Sequence, residues 1–246
     1  MHDLIDQLEN DLIQAQTLDD CKKALAGYLK KMGIGTFSFT YYAYHPHSAS
    51  QLKYDMCSDN FKSWHQHYLQ QQYNHIDSTL QFVYHNHLPI YWSLQNQLSQ
   101  AKTETERQMR HDSIAFGAID GLSIPIHGPH NNFAILVVVQ MKGDDIPLKT
   151  LSLQRNLLLA AHQYYHYLQT HLLDEQTEVE AYNLSQRETQ CLVLIAQQLS
   201  VQEIAQRLEI SQRTVNFHIQ NLNKKLGTNN KYQSVNKALA LKLLTL

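Results

Sequence analysis

Asn216 and Gln220 stand one helical turn apart, with Arg213 and Thr214 just before them and Lys224, Lys225 and Lys231 after. Amide side chains at this spacing can offer donors and acceptors to base edges in a major groove. The cations and the Thr214 hydroxyl can neutralise or hydrogen-bond phosphates, which fixes position without reading sequence. The same residues could equally form the solvated face of a small helical bundle. Three His-x-His pairs, His45/His47, His65/His67 and His85/His87, are a second group with chemical potential. On a strand, residues two apart share a face, and neutral imidazoles there could ligate zinc or copper. His65/His67 falls in a helical stretch, where residues two apart diverge, and the chain carries 15 histidines throughout, so no specific metal site is expected. Neither a nucleophile–base constellation nor a phosphate-cradling glycine loop occurs, so an enzyme is not expected either.

The elements that must position the first group are legible from periodicity. Val215, Ile219, Leu222 and Leu226 predict a helix over 213–226 with these residues inward and the polar set outward. Ser211 is placed to cap its start and Gly227 to end it. A shorter helix over 202–208 buries Ile204, Ala205 and Leu208. Ahead of it, Ser185 and Glu188 have the spacing of a capping box, opening a helix with Cys191, Leu192, Leu194, Ile195 and Leu199 inward. A fourth helix is expected over 231–244. Two helices joined by a short turn, the second amphipathic and basic, are the parts of a helix-turn-helix.

Charge divides the chain the same way. The 246 residues sum to −2, but from Tyr182 onward eight Lys/Arg face three Glu, while the remainder is net acidic. A basic module on an acidic body suits a nucleic-acid reader joined to a regulatory domain. Cys21, Cys57 and Cys191 lack metal or disulfide spacing, which points to a reducing, cytoplasmic setting. The first residues, MHDLIDQLENDL, are too acidic for a signal peptide. No apolar run approaches the roughly 18 residues that span a bilayer, so no membrane partner is expected.

In the acidic part, helices are expected around Ile5, Leu8 and Leu12 and from Thr17 to about Gly33. Alternation of Phe37, Phe39 and Tyr41 predicts a strand, with 52–56 as its hairpin partner. Helices follow over 60–71, 77–84 and 103–116, the last stopped by Gly117. Strands over 121–126 and 133–140 are joined by a turn around Gly128-Pro129, and a long helix is expected over 146–173. The expected fold is α+β: an N-terminal α/β/α sandwich over 1–173, a polar linker over 174–183, and a small all-α four-helix module over 184–246.

The C-terminal residues resemble the LuxR-type helix-turn-helix throughout. The SxRE start, the EIAxxLxIS turn, TVNFHxxN and the KLGxxN ending occur in order within 184–235. Two positions depart: Gln198 stands where that family usually has Gly, and Lys231 where it usually has Arg. Within the N-terminal part, Trp64, Tyr68, Asp77 and Trp92, then FGAIDGLSIPIHG with Gly121 and Pro125, resemble the autoinducer-binding domain of the quorum-sensing LuxR branch. A receiver domain is set aside, because Asp19-Asp20 opens a helix with no apolar strand before it.

The resemblance implies a dimeric, ligand-responsive transcription regulator on an inverted-repeat DNA site. Its signal would be an N-acyl homoserine lactone, with no cofactor. The residue types suit such a ligand. Asp77 can accept from a buried amide N–H, and the Trp64 indole can only donate, as a lactone carbonyl requires. Trp92 would pack on the ring, and Tyr68 would line the acyl chain. Three departures stand against this pattern. Asn60 occupies a position where the family commonly has Tyr, Ser78 one where it has Pro, and Val137 one where a Ser or Thr often meets the head group. They keep open a solo regulator that answers another small molecule or none.

Overall fold

The computed structural model describes residues 2–43, 51–128, 132–172, 182–241 and 243–244. Two compact units divide the chain near residue 174. Of the expected linker, 174–181 lies outside the described residues, as do Pro129 of the expected turn and the His45/His47 pair.

The first unit is built around a five-stranded antiparallel sheet of order β2-β1-β5-β4-β3. The strands are β1 (Phe37–Ala43), β2 (Gln51–Cys57), β3 (Ile90–Ser93), β4 (Ala118–His127) and β5 (Phe133–Met141). Side chains alternate across the pleat. Phe37, Phe39, Tyr41, Leu122, Ile124, Leu136 and Val138 face one side, where α1 (His2–Gln14), α2 (Leu18–Lys31) and α7 (Leu151–Tyr167) complete the main core. The buried Tyr164 of α7 meets Phe39 edge-on at 4.8 Å and shares a hydrogen bond with the Tyr54 hydroxyl at 3.1 Å. The opposite face is covered by α3 (Lys62–Gln70), α4 (Ser78–Tyr84), α5 (Leu94–Gln100) and α6 (Glu104–Phe116). The unit is therefore an α/β/α sandwich.

Several local expectations need correction. The long helix begins at Leu151 instead of 146. Pro147 disfavours helical backbone at the residue before it, and Ile146 and Leu148 are buried in the connection that precedes the helix, with Leu148 in a turn. Beyond Tyr167 the winding loosens to a π-helix over Leu168–Leu172. The helix expected over 60–71 starts at Lys62, after a 3₁₀ turn over Asp59–Phe61. β3 and α5 were not foreseen: β3 is half-buried throughout and α5 buries only Leu94, so neither carries a strong period.

Among its described residues the second unit has four helices, α8 (Gln186–Ala196), α9 (Val201–Leu208), α10 (Gln212–Leu226) and α11 (Lys231–Ala240), the last ending short of the expected 244. The Ser185/Glu188 capping box is formed, and Ser200/Glu203 supplies a second one. Ser211 caps α10 by accepting from Thr214 N, and Gly227 ends it at φ +61°. Between α8 and α9, Gln198 takes φ +66°, a left-handed conformation that glycine adopts more easily. Leu199 N reaches back to Leu194 O in a Schellman-type closure, so the geometry needs that φ whatever the side chain. Cys191, Leu192, Ile204, Val215, Leu222, Leu226 and Ala238 form the core. Cys21, Cys57 and Cys191 are buried free thiols, and burial raises the pKa of each. Among the described residues, no helix is long and apolar enough to cross a membrane.

Candidate functional site

A cavity of about 130 Å³ lies between the sheet and α3–α6. The alternate face of the strands supplies its floor: Ser38, Thr40 and Tyr42 from β1, Ser123 from β4, and Ile135, Val137 and Val139 from β5. Trp64, Tyr68, Asp77, Trp92 and Val137 are brought together on its wall. Asn60 is not. It sits exposed in the 3₁₀ turn before α3, and its Nδ2 donates to Thr36 Oγ1 at 2.7 Å, so its expected place beside a ligand is corrected.

Asp77 is both wall and scaffold. As N-cap of α4, its Oδ1 accepts from Thr79 N at 2.9 Å and from Arg110 Nη2 at 2.8 Å. Its Oδ2 accepts from the Tyr68 hydroxyl at 3.0 Å. Burial, and then the Asp77 charge, push the Tyr68 hydroxyl well above its usual pKa, so Tyr68 stays a neutral donor. Ser78 donates to Glu106, tying α4 to α6. That bond, with a second from Lys102 N, holds the Glu106 carboxyl below its usual pKa against the opposing effect of burial.

Arg110 is 5% exposed and was missed from the sequence, although a signal existed. Glu106, Met109, Arg110 and Ser113 follow the i, i+3, i+4, i+7 rule for a buried stripe, but three of the four are polar. Gln97 and Thr79 were missed for the same reason, being polar residues on short helices.

The two tryptophans differ. The Trp64 ring lies 5.8 Å from that of Phe116 and 6.3 Å from that of Tyr68. Trp92 lies across Gly121, its cross-strand partner, and its indole N–H donates to Ser123 Oγ at 2.9 Å. A Cβ on Gly121 would fall 2.0 Å from a Trp92 ring carbon, which explains the glycine.

The histidine pairs diverge. His65 Nε2 meets Asp55 at 2.6 Å, and Asp55 also accepts from the Thr40 hydroxyl. His67 meets Asp112 at 2.9 Å, and the His87 ring lies 4.6 Å from that of His127. Among the described residues, no three His, Cys, Asp or Glu side chains converge as a metal site.

On α10, Arg213, Asn216, Gln220 and Lys224 are all exposed, as the periodicity required. Thr214 is half-buried, with its hydroxyl 2.8 Å from Ser211 Oγ. Lys231 opens α11, its ammonium over the Tyr232 ring at 5.1 Å. Phe217 is 58% exposed in the middle of the polar face and was not foreseen as part of it. Lys225 needs correction. Its Nζ donates at 2.7 Å both to Glu188 Oε2 and to Asn183 O, inside the unit. Glu188 is buried, which by itself would raise its pKa. The Lys225 bond, the Ser185 bonds and the Lys225 charge outweigh burial and lower it.

Comparison with known proteins fits both halves. Residues 17–168 match the family described as "Autoinducer binding domain", and 182–238 match "Bacterial regulatory proteins, luxR family". The transcriptional activator protein VanR of Vibrio anguillarum is 30% identical over 230 residues, covering 92% of this chain and 91% of VanR. The crystal structure of Escherichia coli SdiA shares the fold with a TM-score of 0.77 at 20% identity, covering 100% of this chain and 99% of SdiA. A structure of SdiA in complex with octanoyl-rac-glycerol has a TM-score of 0.72 at 19% identity, covering 98% and 95%.

Proposed function

The chain belongs to the LuxR family of autoinducer-binding transcription regulators, and from that premise we propose that its signal is an N-acyl homoserine lactone held in the cavity over the sheet. The observation that carries this reading is the convergence of Trp64, Tyr68, Asp77 and Trp92 on one mainly apolar cavity. Asp77 Oδ2 accepts one bond from Tyr68 and keeps capacity for the ligand amide N–H. The Trp64 indole donates to the lactone carbonyl, and Trp92, braced on Gly121 and Ser123, packs the ring. Two copies of the chain then present α10 to an inverted-repeat site in the cytoplasm, each half-site read from one major groove. Asn216, Gln220 and Phe217 face the bases, Phe217 suiting a thymine methyl. Arg213, Thr214, Lys224 and Lys231 face phosphates. Ligand acts by stabilising the folded, DNA-competent state.

A second reading keeps the regulator and changes the signal. Val137 places no hydroxyl in the cavity, Asn60 stands outside it, and Asp77 is already engaged by three groups. With SdiA structurally similar and bound to an acylglycerol, a monoacylglycerol is the alternative worth assaying.

Thermal unfolding against lactones of varied chain length, with monoacylglycerols alongside, tests both. A saturable rise with one or two lactones is expected. Trp64→Phe keeps the ring stack and loses the indole N–H, and Asp77→Asn removes the charge; each should abolish most of that rise. A rise with acylglycerols alone selects the second reading, and a flat panel from a folded, DNA-binding protein rejects both ligands.

A further inference from the structure

Five buried polar side-chain atoms among the described residues lack a hydrogen-bond partner, and two belong to residues that line the cavity: Gln97 Oε1 and Arg110 Nε. The other three, on Tyr41, Gln163 and Tyr165, belong to residues away from it. Gln97 and Arg110 are fixed by one hydroxyl. Gln97 Nε2 donates to Thr79 Oγ1 at 2.7 Å, and Arg110 Nη2 donates to the same atom at 3.1 Å. Thr79 N in turn donates to Asp77 Oδ1. An unmatched acceptor and an unmatched donor therefore stand beside the carboxylate assigned to the ligand amide. Enclosed and unmatched, each retains a desolvation cost that a suitable ligand atom would relieve.

We infer that the ligand carries a hydroxyl within a few bonds of its amide, and that Gln97 is the residue that reads it. This deepens the lactone reading above and rests on it. A hydroxyl both donates and accepts, so it can serve the Gln97 oxygen and the Arg110 N–H alike. A keto oxygen only accepts and leaves the Gln97 oxygen unmatched. A methylene leaves both. The ligand class is thus the 3-hydroxyacyl homoserine lactones, in preference to the unsubstituted and 3-oxo compounds.

The test uses the full-length protein and three lactones of one short chain length: unsubstituted, 3-oxo and 3-hydroxy. Dissociation constants come from calorimetry, with thermal unfolding as a second readout. The 3-hydroxy compound should bind roughly ten- to a hundredfold more tightly than the unsubstituted one. Gln97→Leu should erase most of that ratio while still binding the unsubstituted compound. Gln97→Met, of similar length, gives the same reading if the leucine variant folds poorly. Equal or tighter binding of the unsubstituted or 3-oxo lactone overturns the inference and leaves the lactone reading standing. A ratio that survives in both variants overturns the assignment to Gln97. If only a monoacylglycerol binds, and Gln97→Leu weakens it, the lactone reading fails while the hydroxyl-reading role of Gln97 holds. Failure of every compound overturns both.

Discussion

Lys225→Met separates a structural cation from a DNA-contacting one. Methionine keeps the apolar stem and the helix propensity and deletes only the ammonium. In the folded unit that ammonium bonds Glu188 Oε2 and Asn183 O, each at 2.7 Å. The Glu188 side chain is 4% exposed, so the variant leaves a carboxylate buried without its cation. Stripping one partner from a fully buried pair costs about 3–5 kcal/mol. The Lys225 head is 33% exposed, water can replace part of it, and a loss of about 2 kcal/mol follows. Hydrogen exchange in the full-length chain should then accelerate roughly thirtyfold at the slowest amides of α8 and α10. Binding to non-specific duplex DNA, measured against salt, supplies the contrast. Lys224→Met should reduce the slope of log K against log salt by about 0.9, the share of one phosphate contact, and Lys225→Met should leave it nearly unchanged. Unchanged exchange in Lys225→Met, together with a slope reduced as much as in Lys224→Met, would refute the structural assignment and return Lys225 to the DNA face.

Two further outcomes follow from backbone and packing. Gln198→Gly should stabilise the helix-turn-helix unit by about 1 kcal/mol, because φ +66° strains a side-chain-bearing residue and not glycine; denaturant unfolding checks it, and a destabilised variant would show that the Gln198 side chain contributes more than its backbone costs. Gly121→Ala would set a Cβ 2.0 Å from the Trp92 ring and force the indole off Ser123. Trp92 fluorescence should shift and ligand-induced stabilisation should be lost, whereas an unchanged spectrum with normal ligand response would show that Trp92 can move without consequence.

Much of this protein is legible in its sequence alone. The order of caps, apolar stripes and turn residues from Ser185 to Gly227 determines a helix-turn-helix because those signals are local: each acts within one turn of helix. The alternation of Phe37, Phe39 and Tyr41 likewise marked one face of β1 as core, since the pleat has a fixed period of two. Tertiary structure decided what depends on distant partners. Lys225 looked like its neighbour Lys224 until folding set Glu188 against it. Asn60 looked like a ligand contact until a 3₁₀ turn carried it to Thr36. Asp77 was legible as an acceptor, but its ion pair with Arg110, 33 residues away, was not. A buried polar network has no sequence period of its own. It forms where the sheet and α3–α6 exclude water, and only there do the unmatched atoms of Gln97 and Arg110 acquire the meaning that solvent would otherwise erase.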